Sequence, residues 1–194
     1  MVNKPTRETA GFLACLICAA SCVVRAEVVE YDDKQAWEAA AGGFTTIGFA
    51  DLPDGTWVTE QYADLGAHFV DGWDQVVYGE ITFPEDGVGL VGGEQIDIVF
   101  DQPMYWIGAD FPGGMIVQLY LGGEMFYQSS YFGGTGYGNF GGLLSTLAFD
   151  RAVLRDDDEY VAIDDVHFGP PIPAPPVLCI LGGALVRVRR QRRR

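Results

Sequence analysis

The chain has 194 residues, 48% of them hydrophobic and 20% charged, with 27 acids against 12 lysines and arginines and a formal net charge of −15. All the acids except Glu8 fall between residues 27 and 169, where the only bases are Lys34, Arg151 and Arg155, so this stretch carries a net charge of about −23. Such a field repels nucleic acid and anionic lipid and attracts divalent cations, which excludes a nucleic-acid partner. The same stretch has no cysteine, since Cys15, Cys18 and Cys22 precede it and Cys179 follows it. It therefore has neither a disulfide framework nor a thiolate metal site.

At the start, Lys4 and Arg7 precede an apolar stretch from Gly11 to Val24, and Val24-Arg25-Ala26 places small residues at cleavage spacing. This is the pattern of a secretory signal peptide over residues 1–26, cut after Ala26, and it is too short for a spanning helix. A lipoprotein reading would use Cys22 after Ala19-Ala20-Ser21, but the usual bulky aliphatic residue three positions before the cysteine is missing.

Residues 27–169 are long enough to build one core unaided. Asp32 or Asp33 caps a short helix over Lys34 to Ala41 (KQAWEAAA), made largely of good helix formers. Gly42-Gly43 ends it. Phe44 to Phe49 is a candidate strand. Ile96, Ile98 and Phe100 alternate with Asp97, Val99 and Asp101, as in a strand with one buried face. Met104 to Phe111 is a second such run. Met115, Val117, Leu119 and Leu121 alternate again, and Gly122-Gly123 joins them to Met125 to Ser129 as a two-residue hairpin. Gly133 to Gly142 (GGTGYGNFGG) is a glycine-rich loop. Ala148 to Asp150 and Tyr160 to Phe168 complete the set. Many short strands separated by turn signals predict an all-β domain, an antiparallel β-sandwich of jelly-roll type with one short N-terminal helix. In the last strand Val161 and Ile163 share one parity and Val166 and Phe168 the other. Either a bulge at Asp164-Asp165 absorbs a residue, or both faces of this strand are buried.

Residues 170–194 form a tail. A proline stem, Pro171-Ile172-Pro173-Ala174-Pro175-Pro176, leads into an apolar run from Val177 to Val186. Arg187, Arg189, Arg190, Arg192, Arg193 and Arg194 follow, as anchor arginines on the cytoplasmic side under the positive-inside rule. The run is shorter than the roughly 20 residues of a spanning helix, although arginines can snorkel to extend its reach.

The tail resembles the PEP-CTERM sorting signal of exported bacterial proteins, in the variant whose motif is Ile172-Pro173-Ala174-Pro175. The body resembles the β-sandwich domains that often carry such tails. The matching pieces are Phe49-Ala50-Asp51-Leu52-Pro53-Asp54-Gly55-Thr56, then Gln61-Tyr62-Ala63-Asp64-Leu65-Gly66, and Ala162-Ile163-Asp164-Asp165-Val166-His167-Phe168-Gly169. The resemblance implies export through the secretion machinery and a tethered intermediate held at the inner membrane by the tail. An exosortase then cuts near the Pro-x-Pro element, leaving the product in the cell envelope or the extracellular matrix.

Three kinds of site are candidates. Asp51 and Asp54 on an early loop and Asp164 and Asp165 on the last strand can supply the hard oxygens that a structural Ca2+ requires. The alternative is that these acids are simply solvated. The Arg155 to Glu159 run reads as a solvated loop. Trp57, Trp73, Tyr131 and Tyr137, with Tyr78, Tyr127 and Phe140, offer flat faces for an extracellular polysaccharide, set against ordinary packing in a sandwich. GxSxG, HExxH and phosphate-loop motifs are all missing, and His68 and His167 read as structural. The expected function is a non-enzymatic envelope or matrix protein associated with polysaccharide. A dedicated carbohydrate-binding module is the alternative, and a carbohydrate-active enzyme comes third.

Overall fold

The computed structural model describes residues 26–70, 76–78, 87–134, 136, 138–156 and 160–170. Residues 1–25 of the expected signal peptide, the expected sorting motif Ile172 to Pro175, the arginines from Arg187 to Arg194, Trp73 and Tyr137 lie outside them.

In chain order the elements are β1 (Val28–Tyr31), α1 (Lys34–Ala41), β2 (Thr45–Ile47), β3 (Ala67–Val70), β4 (Val76–Tyr78), β5 (Gly89–Gly92), β6 (Gln95–Phe111), β7 (Gly114–Leu121), β8 (Glu124–Gln128), β9 (Phe132–Gly133), β10 (Asn139–Arg155), β11 (Val161–Ile163) and β12 (Val166–Gly169). Helix α1 has the predicted bounds. Asp33 caps it by accepting from the Ala36 N–H at 2.7 Å, and the Gly42 N–H closes it on the Glu38 carbonyl at 3.1 Å.

Two 17-residue strands, β6 and β10, organise everything else. They pair antiparallel along their length, except at a corner where Trp106/Leu144 gives way to Val99/Arg151 through two register shifts. On one side of the corner the order is β2-β12-β6-β10-β1. On the other it is β3-β6-β10-β7-β8. One continuous ladder thus supplies both layers of a jelly-roll-like sandwich, and a small antiparallel sheet, β11-β5-β4, stands beside it. Among the described residues all strand pairing is antiparallel, as the turn density predicts. The two runs expected as separate strands, 96–101 and 104–111, are one bent strand. Pro103 is tolerated because it sits where the ladder is interrupted. Asn139 to Gly142 of the glycine-rich stretch are likewise strand and not loop. Gly122 and Gly123 take φ of 60° and 85° and close the β7–β8 hairpin as predicted.

The main core lies between the layers. Ile96, Ile98, Val117, Leu119, Ala152 and Leu154 of one layer face Ile107, Ala109, Val166 and Phe168 of the other. The Phe100 ring bridges them, 5.0 Å from Phe168 and 5.9 Å from Phe149. The parity switch at Asp164-Asp165 has a tertiary cause: β11 belongs to the small sheet, while β12 is inserted between β2 and β6. Val161, Ile163, Val166 and Phe168 are all buried, and so is His167 on the opposite face of β12.

His167 faces a second, smaller cluster outside the sandwich, where α1 covers the sheet. Trp37, Ala41, Trp106 and Phe140 form it. Gly108 and Gly142 are directly paired neighbours. A Cβ on Gly142 would lie 2.5 Å from the Trp37 ring, and one on Gly108 would lie 2.7 Å from Phe140. Two bare backbone positions are therefore the seat on which Trp37 and Phe140 rest.

A polar cleft at the head of helix α1

The start of α1, the end of β6 and the beginning of β10 enclose a concave opening of about 660 Å3. Its lining includes Asp32, Asp33, Lys34, Gln35, Asp110, Asn139 and Phe140, with Gly133, Gly134 and Gly138 along one rim. Asn139 braces that rim, donating from Nδ2 to the Gly113 carbonyl at 2.8 Å and to the Gly136 carbonyl at 3.0 Å. Asp33 is committed to the helix cap. The side chains of Asp32 and Gln35 are exposed and make no hydrogen bond with another described residue.

The floor is an ion-pair network. Lys34 Nζ lies 2.7 Å from Asp110 Oδ2, and His167 Nε2 lies 3.0 Å from the same oxygen. On the far side of the ring, His167 Nδ1 is 2.9 Å from Thr46 Oγ1. Burial works to raise the Asp110 pKa, but the hydrogen bonds from His167 and Lys34 outweigh it and hold the carboxyl below the usual carboxylate range. An acid so held stays ionised at neutral pH, the opposite of what a general acid in glycoside cleavage needs.

The residues singled out in the sequence are dispersed. Asp51 ends a 3-10 turn and accepts from the Tyr62 hydroxyl at 2.6 Å. Burial and that carboxylate push the Tyr62 hydroxyl well above its ordinary range. Asp54 is exposed on the next turn and Asp164 is buried. The Asp165 carboxylate lies over Gly48, 2.9 Å from where a Cβ would stand. Among the described residues, the three carboxylate or imidazole donors that converge within 4.8 Å are those of Asp110, Asp165 and His167. Of these, only Asp165 was picked out from sequence as a ligand. His167 was visible as a histidine two residues beyond Asp165, whereas nothing in the pattern of β6 marks Asp110.

Of the aromatic candidates, Trp57 is 57% exposed and Tyr131 53% exposed. Tyr131 lies against the backbone at Gly114. The Tyr127 hydroxyl instead donates to Glu30 at 2.7 Å, and burial together with that carboxylate raises its pKa to about 12. Phe140 packs on Trp37 with ring centroids 5.5 Å apart, and part of it reaches the cleft.

Two of the three bases of the body hold acids that are partly or fully buried. Besides the Lys34–Asp110 pair, Arg151 donates to Asp97 through Nε at 2.8 Å and also through Nη2. Asp97 is fully buried, so the second face of the 95–101 stretch of β6 is not open to solvent throughout, as the alternation predicts it to be. The Arg151 guanidinium also lies 4.8 Å from the Tyr120 ring centroid.

No family model and no curated protein matches the chain. Two solved structures resemble it. One is a mutant of CBM29-2, a family 29 carbohydrate binding module, at 11% identity and a TM-score of 0.39, covering 69% of this chain and 99% of that one. The other is a Clostridium perfringens catalytic domain with the CBM51-1 and CBM51-2 domains, at 11% identity and a TM-score of 0.29, covering 75% of this chain and 18% of that one. Both likenesses are too loose to bear on what this chain binds.

Proposed function

We propose that this is an exported, non-enzymatic protein of the cell envelope or extracellular matrix, which associates with polysaccharide through the cleft at the head of α1. The observation that carries the binding reading is the cleft itself. Its volume falls within the roughly 300–1,000 Å3 of small-molecule sites. It gathers the uncommitted carboxylate of Asp32 and amide of Gln35, polar groups that can hydrogen-bond sugar hydroxyls, with only a small exposed edge of Phe140 beside them. The surrounding negative charge favours a neutral glycan over an anionic one. The lowered Asp110 supports a binding role over acid catalysis. Export rests on the two ends of the chain, the apolar stretch before Ala26 and the Ile172-Pro173-Ala174-Pro175 tail.

A glycan array of neutral and anionic oligosaccharides tests the binding half. Neutral glycans should be retained, and Gln35→Ala and Asp32→Ala should weaken retention several-fold without moving the melting temperature. Retention of no glycan, or retention indifferent to both substitutions, refutes it. Intact mass from cells and medium of the native host tests the export half. A species beginning near Glu27 and ending between Pro173 and Pro175 is expected. A secreted product that still carries Arg194 removes the sorting step.

A further inference from the structure

The floor of the cleft carries chemistry that sugar binding does not use. Asp110 is the penultimate residue of β6, Asp165 stands at the corner before β12, and His167 is the second residue of β12. We propose that these three side chains form a site for one divalent first-row transition-metal ion, with Lys34 acting as the counter-charge of the metal-free protein.

Four observations support the site. The two acids are fixed to each other through the backbone: the Asp110 N–H donates to the Asp165 carbonyl at 3.0 Å and the Asp164 N–H to the Asp110 carbonyl at 2.7 Å. Approach of the ligands therefore costs little further ordering. His167 is 2% exposed, and its ring is wedged among Trp37, Phe44 and Phe140 at centroid distances of 5.8, 5.4 and 6.3 Å. His167 Nδ1 lies 2.9 Å from Thr46 Oγ1 and Nε2 is directed at the carboxylates; in the tautomer whose Nδ1–H donates to Thr46, Nε2 offers its lone pair to the ion, as a histidine ligand oriented by the partner of its other nitrogen. Gly48 lets the Asp165 carboxylate lie close against the backbone. Finally, two carboxylates converge where Lys34 supplies one positive charge, within a body of about −23. A doubly charged ion balances both.

The donor set selects the ion. One imidazole with two carboxylates suits manganese, cobalt or zinc, whereas calcium takes oxygen ligands throughout. Asp110 lines the cleft, so the ion enters from there and its remaining positions face water. The Lys34 side chain is 28% exposed and can swing into the opening as its place on Asp110 is taken.

The test uses the full chain, freed of metal by a chelator and titrated with Mn2+ in about 0.15 M salt, where diffuse binding to surface acids is screened. Mn2+ is chosen because the thiols of Cys15, Cys18, Cys22 and Cys179 bind it weakly, and the signal of the free ion in electron paramagnetic resonance counts the bound ion. One tight Mn2+ per chain and a raised melting temperature are expected. Asp110→Asn should weaken binding at least about tenfold. Asp54→Asn should leave it unchanged, which separates this site from a calcium site on the early loop. Lys34→Met should tighten it about tenfold by removing a competing cation. That gain cannot come from misfolding, so it guards against a collapsed Asp110 variant. Absence of a tight ion, binding indifferent to Asp110→Asn, or weaker binding in Lys34→Met overturns the proposal.

Discussion

Replacing Gly142 by alanine probes how α1 is held to the sandwich. The added methyl would stand 2.5 Å from Trp37 Cδ1, 2.8 Å from Phe140 Cε1 and 2.8 Å from Trp37 Cγ. None of these atoms is the end of a flexible chain. Trp37 is fully buried and Phe140 nearly so, and both rest on paired Gly108 and Gly142. One methylene too many in a packed interior costs about 1–3 kcal/mol. For a domain of this size each kcal/mol moves the melting temperature by about 2–4 °C, so a fall of about 2–12 °C is expected. Gly43→Ala is the matched control, because a methyl there meets nothing within 4 Å; its effect should stay within about 0.5 kcal/mol. Thermal melts of the two variants, followed by circular dichroism, decide the matter. The double variant Trp37→Leu/Gly142→Ala should cost less than the sum of its parts, since the smaller side chain vacates the space that the methyl needs. Equal melting of Gly142→Ala and the parent, or strict additivity in the double variant, would refute the account of Trp37 seated on bare backbone.

Two further outcomes follow from the ion pairs. Arg151→Met strands the fully buried Asp97 without its guanidinium, and should destabilise the protein by about 3–5 kcal/mol, measured by urea unfolding; a loss under 1 kcal/mol would mean that Asp97 has other sufficient partners. His68 lies 2.6 Å from Glu60 and 3.0 Å from Asp101, and hydrogen bonds to Glu60 and then Asp101 raise its pKa. Because the folded value lies above the unfolded value near 6.5, this stabilisation is full below about pH 6.5 and is lost as pH rises through the raised folded value. Its size is modest because the groups are solvent-screened. The melting temperature of the parent minus that of His68→Gln should shrink from pH 6 to pH 8, and a difference that grows over that range contradicts the pairing.

Much of the fold was legible in the residues. The Asp33 cap, the KQAWEAAA helix, the Gly122-Gly123 turn and the alternation along β7 are local rules, set by backbone conformation and by the period of side chains along one strand. The breaks in the reading all involve partners distant in sequence. Asp101-Gln102-Pro103 reads as a strand end, yet β6 continues through it because β10 bends beside it. The polar alternation of β6 fails at Asp97 because Arg151, 54 residues away, reaches it. The glycines at 141 and 142 read as loop because their reason is a pair of aromatic side chains, Phe132 and Trp37, that come to rest on them.

The candidate site divides in the same way. The acidity of the body, its freedom from cysteine and the character of both chain ends follow from composition and order alone, because charge and hydropathy need no partner to be counted. Asp165 was marked as a ligand by its place in a short acidic pair. Its companions Asp110 and His167, and the separation of Asp51, Asp54 and Asp164 from them, were decided by the insertion of β12 between β2 and β6. Strand order is a choice among pairings of similar local energy, settled by which one buries Ile107, Ala109, Val166 and Phe168 together. The ligands of a site at the edge of that pairing are known only once the core has chosen it.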